Sequence, residues 1–198
     1  MNLAANSIAG DKEQGFLATM LITPVKRSSI AAGKSLCIFT SAVIGGISAF
    51  AGMAISLPRL TEAMGAGSAM TYSFTEYAML FIVSITANFA LTGVLLIISA
   101  LSKNVKQATT ISPVFMIFLM AAGMLTMMDS VSIIVEDLGI INAFIPAWNT
   151  MIVMQDITKL DYSASYVLIT CVSNILFSFI SIIAVGKLFE REKIVMPE

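Results

Sequence analysis

"SLCIFTSAVIGGISAFAGMAISL", residues 35–57, contains no Asp, Glu, Lys or Arg and is followed by Pro58. A hydrocarbon core about 30 Å thick is crossed by roughly 20 helical residues, so this run is long enough to span a bilayer. Three further stretches meet the same test, at about residues 77–101, 108–128 and 162–189. Backbone N–H and C=O groups find no water partner in lipid, which forces helices rather than open strands. The sequence therefore predicts an all-α, polytopic helical membrane protein with four transmembrane helices. Composition agrees: 58% of the 198 residues are hydrophobic, only 12% are charged, and mean hydropathy is +0.92. A soluble domain of this size could not cover itself with so few charges.

The chain divides into residues 1–34, which carry charge, and a transmembrane bundle over residues 35–198. Between Asp129 and Asp161 lies a stretch too apolar for a plain loop, interrupted by Glu136, Asp137 and Pro146. Apolar runs of about 10–14 residues are more often re-entrant or interfacial than spanning. Residues 131–156 are accordingly read as a re-entrant outer pair of short helices, with Trp148 at headgroup level. The alternative is a fifth full span, which would put the C-terminal lysines outside.

With the N-terminus inside, Lys12, Lys26, Arg27, Lys34, Lys103, Lys106, Lys187, Arg191 and Lys193 fall inside, and only Arg59 and Lys159 fall outside. That asymmetry places both termini in the cytoplasm of a cell bounded by this plasma membrane. Net charge is −1, so no bulk field draws in nucleic acid. Cys37 and Cys171 both lie in apolar runs and read as small buried hydrophobes. Without histidine there is neither a Ser–His dyad nor a His-based metal site. No G-x-x-x-x-G-K-[ST] loop occurs, so the chain has no P-loop nucleotide site and no cofactor is expected. These features argue against an enzyme.

The span interiors hold no acidic or basic residue apart from Lys187 at the inner end of the fourth. A charge at the bilayer centre costs about 2.5–3.5 kcal/mol on insertion scales, a cost that ion-coupled carriers accept in building relays. Energy for any transport must then enter from outside the membrane. Among the uncharged polar residues, Asn88, Thr92 and Asn174 are the candidates for a substrate pathway. Their alternative role is interhelical hydrogen bonding, worth about 0.6 kcal/mol on average. Gly45 with Ala49, and Ser48 with Gly52, form small-xxx-small pairs that let another helix approach.

The segment ahead of the first span has its own pattern. Asp11 followed by Gln14 predicts a helix start. Phe16, Leu17, Met20 and Leu21 then share one face, and Pro24 ends the helix by disfavouring the helical conformation at Thr23. The expectation is a short amphipathic helix over residues 11–21, lying along the membrane as an interfacial anchor or as a handle for a partner.

Residues 7–35, "SIAGDKEQGFLATMLITPVKRSSIAAGKS", resemble the cytoplasmic signature of type-2 ABC transporter permeases, especially the sodium-extrusion and multidrug exporter branch. Ile8, Ala9, Gly10, Lys12, Glu13, Gly15, Leu17, Leu21, Thr23, Pro24, Val25, Arg27, Ile30, Gly33 and Lys34 fit the pattern. "IPAWN", residues 145–149, is similar to the I-P-x-x-N stretch before the family's last span. Asp11, Gln14, Phe16 and Ala18 depart from the usual Glu, Arg, Thr and Glu. The resemblance implies a cytoplasmic coupling helix that contacts a separate P-loop ATPase through Gly10, Asp11, Lys12, Glu13, Gly15, Phe16, Leu17, Leu21 and Pro24. It implies an ATP-driven exporter, with a second permease copy or a missing N-terminal half as further partner in the lipid bilayer. Such permeases carry six spans with the signature between the second and third, so this chain is expected to be the C-terminal four-span portion. The other reading is a small non-transporting membrane protein, an immunity or accessory factor, or an orphaned permease fragment.

Overall fold

The computed structural model describes residues 2–14, 27–63, 72–126 and 146–190. Over these residues the chain is helical: α1 (Asn2–Glu13), α2 (Arg27–Ala63), α3 (Phe74–Leu101), α4 (Val105–Thr126), α5 (Pro146–Lys159) and α6 (Ala164–Glu190). Four of them, α2, α3, α4 and α6, are long and apolar enough to cross a membrane, as the hydropathy pattern predicts. Residues 127–145 lie outside the described part, so only α5 of the expected outer pair is in view.

Helix ends are set by local chemistry. Ser73 caps α3: its Oγ accepts from Thr75 N at 3.4 Å, while Glu76 Oε2 accepts from Ser73 N at 2.6 Å. At the other end Ser102 is extended, and its backbone N–H donates to Ile98 O at 3.0 Å. Asn104 Oδ1 accepts from Gln107 N at 2.8 Å, and Gln107 Oε1 accepts from Lys103 N at 2.8 Å, so α4 begins within a few residues of the end of α3. Pro146 opens α5, where its missing N–H costs nothing. Leu160 closes it at φ 62°, with Leu160 N donating to Ile157 O and Asp161 N to Asp156 O, the paired bonds of a Schellman cap.

Two boundaries differ from the sequence reading. Pro58 does not end the helix: the candidate span closes at Arg59, while α2 runs on to Ala63. Proline removes one rung and crowds the carbonyl four residues back, yet α2 carries it inside the helix. At the N-terminus, Asp11 starts no helix. It lies in the last turn of α1, and Gln14 N still donates to Gly10 O at 3.0 Å. Tertiary packing accounts for the shift: Ala4, Ile8 and Ala9 are buried against the bundle, which recruits the residues before Asp11 into the helix.

α3 is the centre of the bundle and touches each of the other described helices. Near the α1 end, Ile8, Ile38, Leu95, Leu96, Ala100 and Val185 form one core cluster; at the far end Leu80, Val83, Val153, Ile157, Val167 and Cys171 form another. Edge-to-face pairs Phe39–Phe89, at 5.5 Å, and Phe50–Phe81, at 4.9 Å, hold α2 to α3. α3 and α6 approach closely at Gly93, where an added Cβ would lie 2.8 Å from Ser181 Cβ and 3.6 Å from Ser178 Cα. The small-residue seam is thus Gly93 with Ser178 and Ser181. Gly45 and Gly52 have nothing within 4 Å, and Ser48 and Ala49 are exposed.

Most of α2 and α4 is exposed in the chain taken alone. Their hydroxyls suit an apolar medium because each is turned onto its own helix: Thr40 donates to Leu36 O, Ser48 to Ile44 O, Ser56 to Gly52 O and Thr110 to Lys106 O, at 2.7–3.0 Å.

Candidate functional site: the fastened N-terminal segment and a buried polar cluster

α1 is bound to the bundle by polar contacts to three other helices. The Ser99 hydroxyl oxygen of α3, fully buried, accepts from Ile8 N and Ala9 N at 3.1 Å each. Lys12 Nζ donates to the Ala100 carbonyl and, at 3.2 Å, to the Ser102 carbonyl. These are C-terminal acceptors of α3 that lack intrahelical partners, and a cation there also complements the helix dipole. Glu13 Oε2 accepts from Val105 N at 2.9 Å, setting a carboxylate on the N-terminus of α4. Lys34 of α2 pairs with Asp11 and donates to Ser7 O at 2.9 Å. Ala9 packs on Ala108 of α4, and Gly10 faces Val105, with 3.7 Å between an ideal Cβ and Val105 Cγ2.

Lys12, Glu13 and Asp11 therefore direct their charged ends to their own bundle, joining α1 to the ends of α2, α3 and α4. Partial burial pulls the Lys12 ammonium down from its ordinary 10.5 to about 8. Of the expected ATPase-contacting residues, Gly10, Asp11, Lys12 and Glu13 are thus located. Gly15, Phe16, Leu17, Leu21 and Pro24 lie outside the described residues. Sequence reasoning missed Ser99 and Ser102, since a serine at the end of an apolar helix carries no periodic signal of a helix that docks there.

A second polar centre lies inside the bundle, where α3, α5 and α6 meet. Asn174 Nδ2 donates to Thr150 Oγ1 at 2.9 Å and, at the long limit of 3.5 Å, to Thr86 Oγ1; Asn149 Nδ2 donates to Thr170 Oγ1 at 2.8 Å. Asn149, Asn174 and Thr170 are fully buried, and Thr86 and Thr150 nearly so. Asn174, a candidate from sequence, is thus an interhelical bridge. Asn88 is not brought to it: Asn88 Nδ2 donates to Ser84 O at 2.9 Å and lies 3.3 Å from an ideal Cβ on Gly46 of α2. At 100° per residue Asn88 and Thr86 face nearly opposite ways. Thr92 is buried in α3. Thr86, Thr150, Thr170 and Asn149 were not singled out, although Asn149 closes the "IPAWN" stretch.

The chain is thus a polytopic helical bundle whose charged N-terminal segment is fastened across the ends of three candidate spans. Residues 1–187 match the profile described as "ABC-2 family transporter protein", and the chain belongs to that family. It is accordingly a membrane permease of an ABC transporter, a transport component rather than a catalytic subunit, and permeases of this family work with an ABC ATPase partner. No curated protein and no solved structure matches the chain.

Proposed function

We propose that this permease subunit couples ATP hydrolysis by a separate P-loop ATPase to efflux, with residues 10–24 as the coupling segment. The observation that carries the reading is the three-way fastening of α1. Asp11 is paired to α2, Lys12 holds the end of α3, and Glu13 caps the start of α4. A displacement applied next to Glu13 is delivered to three candidate spans together, which supplies the differential contacts that a two-state rocking motion needs. The segment lies on the inner side in the positive-inside reading, which gives both termini to the cytoplasm of the plasma membrane. On this reading Gly15, Phe16, Leu17, Leu21 and Pro24 meet the ATPase, and a second permease polypeptide completes the assembly. The sodium-extrusion branch is supported by the signature in residues 7–35 alone.

Gentle solubilisation of membranes carrying the tagged chain tests this. A P-loop ATPase is expected to co-purify from the wild type, and Leu17→Pro is expected to insert normally while losing either the ATPase or the link between hydrolysis and transport. Efflux and ATP turnover that stay coupled in the Leu17→Pro assembly refute the role of the segment.

A further inference from the structure

Residues 109–113 of α4 read Thr-Thr-Ile-Ser-Pro, and four of the five weaken the same stretch of helix. Pro113 has no N–H for the Thr109 carbonyl, and its ring crowds that carbonyl. The three hydroxyls ahead of it all turn back onto the preceding turn. Thr109 Oγ1 donates to Val105 O at 2.9 Å or to Lys106 O at 3.1 Å, Thr110 to Lys106 O at 2.8 Å, and Ser112 to Ala108 O at 2.8 Å. Back-bonding of this kind bends helices, and proline is the commonest seat of a sharp kink.

The bend divides α4 into two unequally held pieces. Before it, Ala108 and Ser112 are buried, Ala9 packs on Ala108, and Glu13 Oε2 accepts from Val105 N, so the inner piece is clamped to α1. Beyond it, none of the described residues from Val114 to Leu125 is buried. Met116, half-buried, reaches the inner core just past the proline. Further out, Gly123 lies against Met151 of α5, where an ideal Cβ would come 2.5 Å from Met151 Sδ. A glycine set against an unbranched thioether side chain is a contact that yields, because the methionine changes rotamer and stays in touch as the helix shifts. α6 is held differently: buried residues recur along it from Val167 to Val185.

We propose that residues 109–113 are a hinge built into α4, about which its outer half tilts across Met151 while its inner half stays fixed to α1. At about 1.5 Å per residue, position 124 lies about 16 Å beyond Pro113, so a tilt of about 20° carries it about 6 Å. The hinge goes beyond the coupling reading: it is a property of the chain and holds whether or not the segment after Glu13 meets an ATPase.

Double electron–electron resonance on the whole chain in lipid nanodiscs, in a Cys37→Ala, Cys171→Ala background, tests it. Nitroxides at Met124 and Leu168, both exposed, report the outer ends of α4 and α6; nitroxides at Lys106 and Ile183, also exposed, report the inner ends. The outer-pair distance distribution is expected to be broader than the inner-pair one by about 6 Å. Pro113→Ala is expected to narrow it to the inner-pair width while leaving the inner pair unchanged. An outer distribution no broader than the inner one overturns the hinge. So does a broad one that Pro113→Ala leaves as it was, since the breadth then arises elsewhere. Should Pro113→Ala not insert, Thr110→Val with Ser112→Ala removes two of the back-bonds and is expected to narrow the outer distribution; no narrowing overturns the hinge.

Discussion

The α3–α6 seam permits a prediction whose sign depends on one interatomic distance. Replacing a helical glycine by alanine in open space gains about 0.8–1 kcal/mol of helix propensity. At Gly45 and Gly52 nothing stands within 4 Å of the new Cβ, so Gly45→Ala is expected to realise that gain. At Gly93 the same methyl would sit 2.8 Å from Ser181 Cβ and 2.9 Å from Ser181 Oγ, with Ser178 Cα at 3.6 Å behind them. No rotamer change moves a Cβ, so the helices must part, and overpacking of this kind costs about 1–3 kcal/mol. Because lipid is as apolar as the side chains, close packing is what holds such helices together, and a parted seam has no hydrophobic compensation. Gly93→Ala is thus expected to come out net destabilising, by up to about 2 kcal/mol after the propensity gain.

Ser181→Gly removes the obstructing atom, so the pair Gly93→Ala with Ser181→Gly should recover most of the loss, with a coupling of about 1–2 kcal/mol. Thermal or denaturant unfolding of the four species in one detergent measures the cycle. A Gly93→Ala effect that is the same with and without Ser181→Gly refutes the reasoning. So does a Gly93→Ala protein as stable as Gly45→Ala.

Three other outcomes follow from the geometry. Leu160→Gly relieves a left-handed residue outside the spans and should stabilise the chain by about 1 kcal/mol, readable as a raised melting midpoint; a lowered one shows that the Leu160 side chain matters more than its backbone. Because the docked Lys12 titrates near 8 against an ordinary 10.5, the undocked state holds the extra proton between those values. The Lys12 contribution to docking of α1 should then strengthen as pH rises from about 8 to 10.5, as read by nitroxide distances between α1 and α4. Lys12→Met should abolish the dependence, and docking that weakens through this window contradicts it. In the complete assembly, Leu17→Pro should leave the permease in the membrane while separating ATP turnover from efflux.

What the residues alone settled was the medium and the class. Four long runs without interior charge admit no fold but spanning helices, because the cost of an unpaired backbone group in hydrocarbon exceeds any propensity carried by their many β-branched residues. The signature in residues 7–35 pointed to the family for a comparable reason: charge, glycine and proline at fixed spacing survive as pattern whatever the helices around them do. Tertiary structure decided the rest. Asp11 reads as an N-cap locally, yet it closes α1, since burial of Ile8 and Ala9 on Ser99 and Ala108 outweighs a cap. Gly45 and Gly93 look alike in a sequence, and only the placement of α6 makes one of them a close contact. Asn88 and Asn174 likewise look alike, but one lies against α2 and the other joins three helices. Helical spacing says which residues share a face; which partner covers that face is set by the packing of separate spans, where the contacts of residues far apart in the chain are decided together.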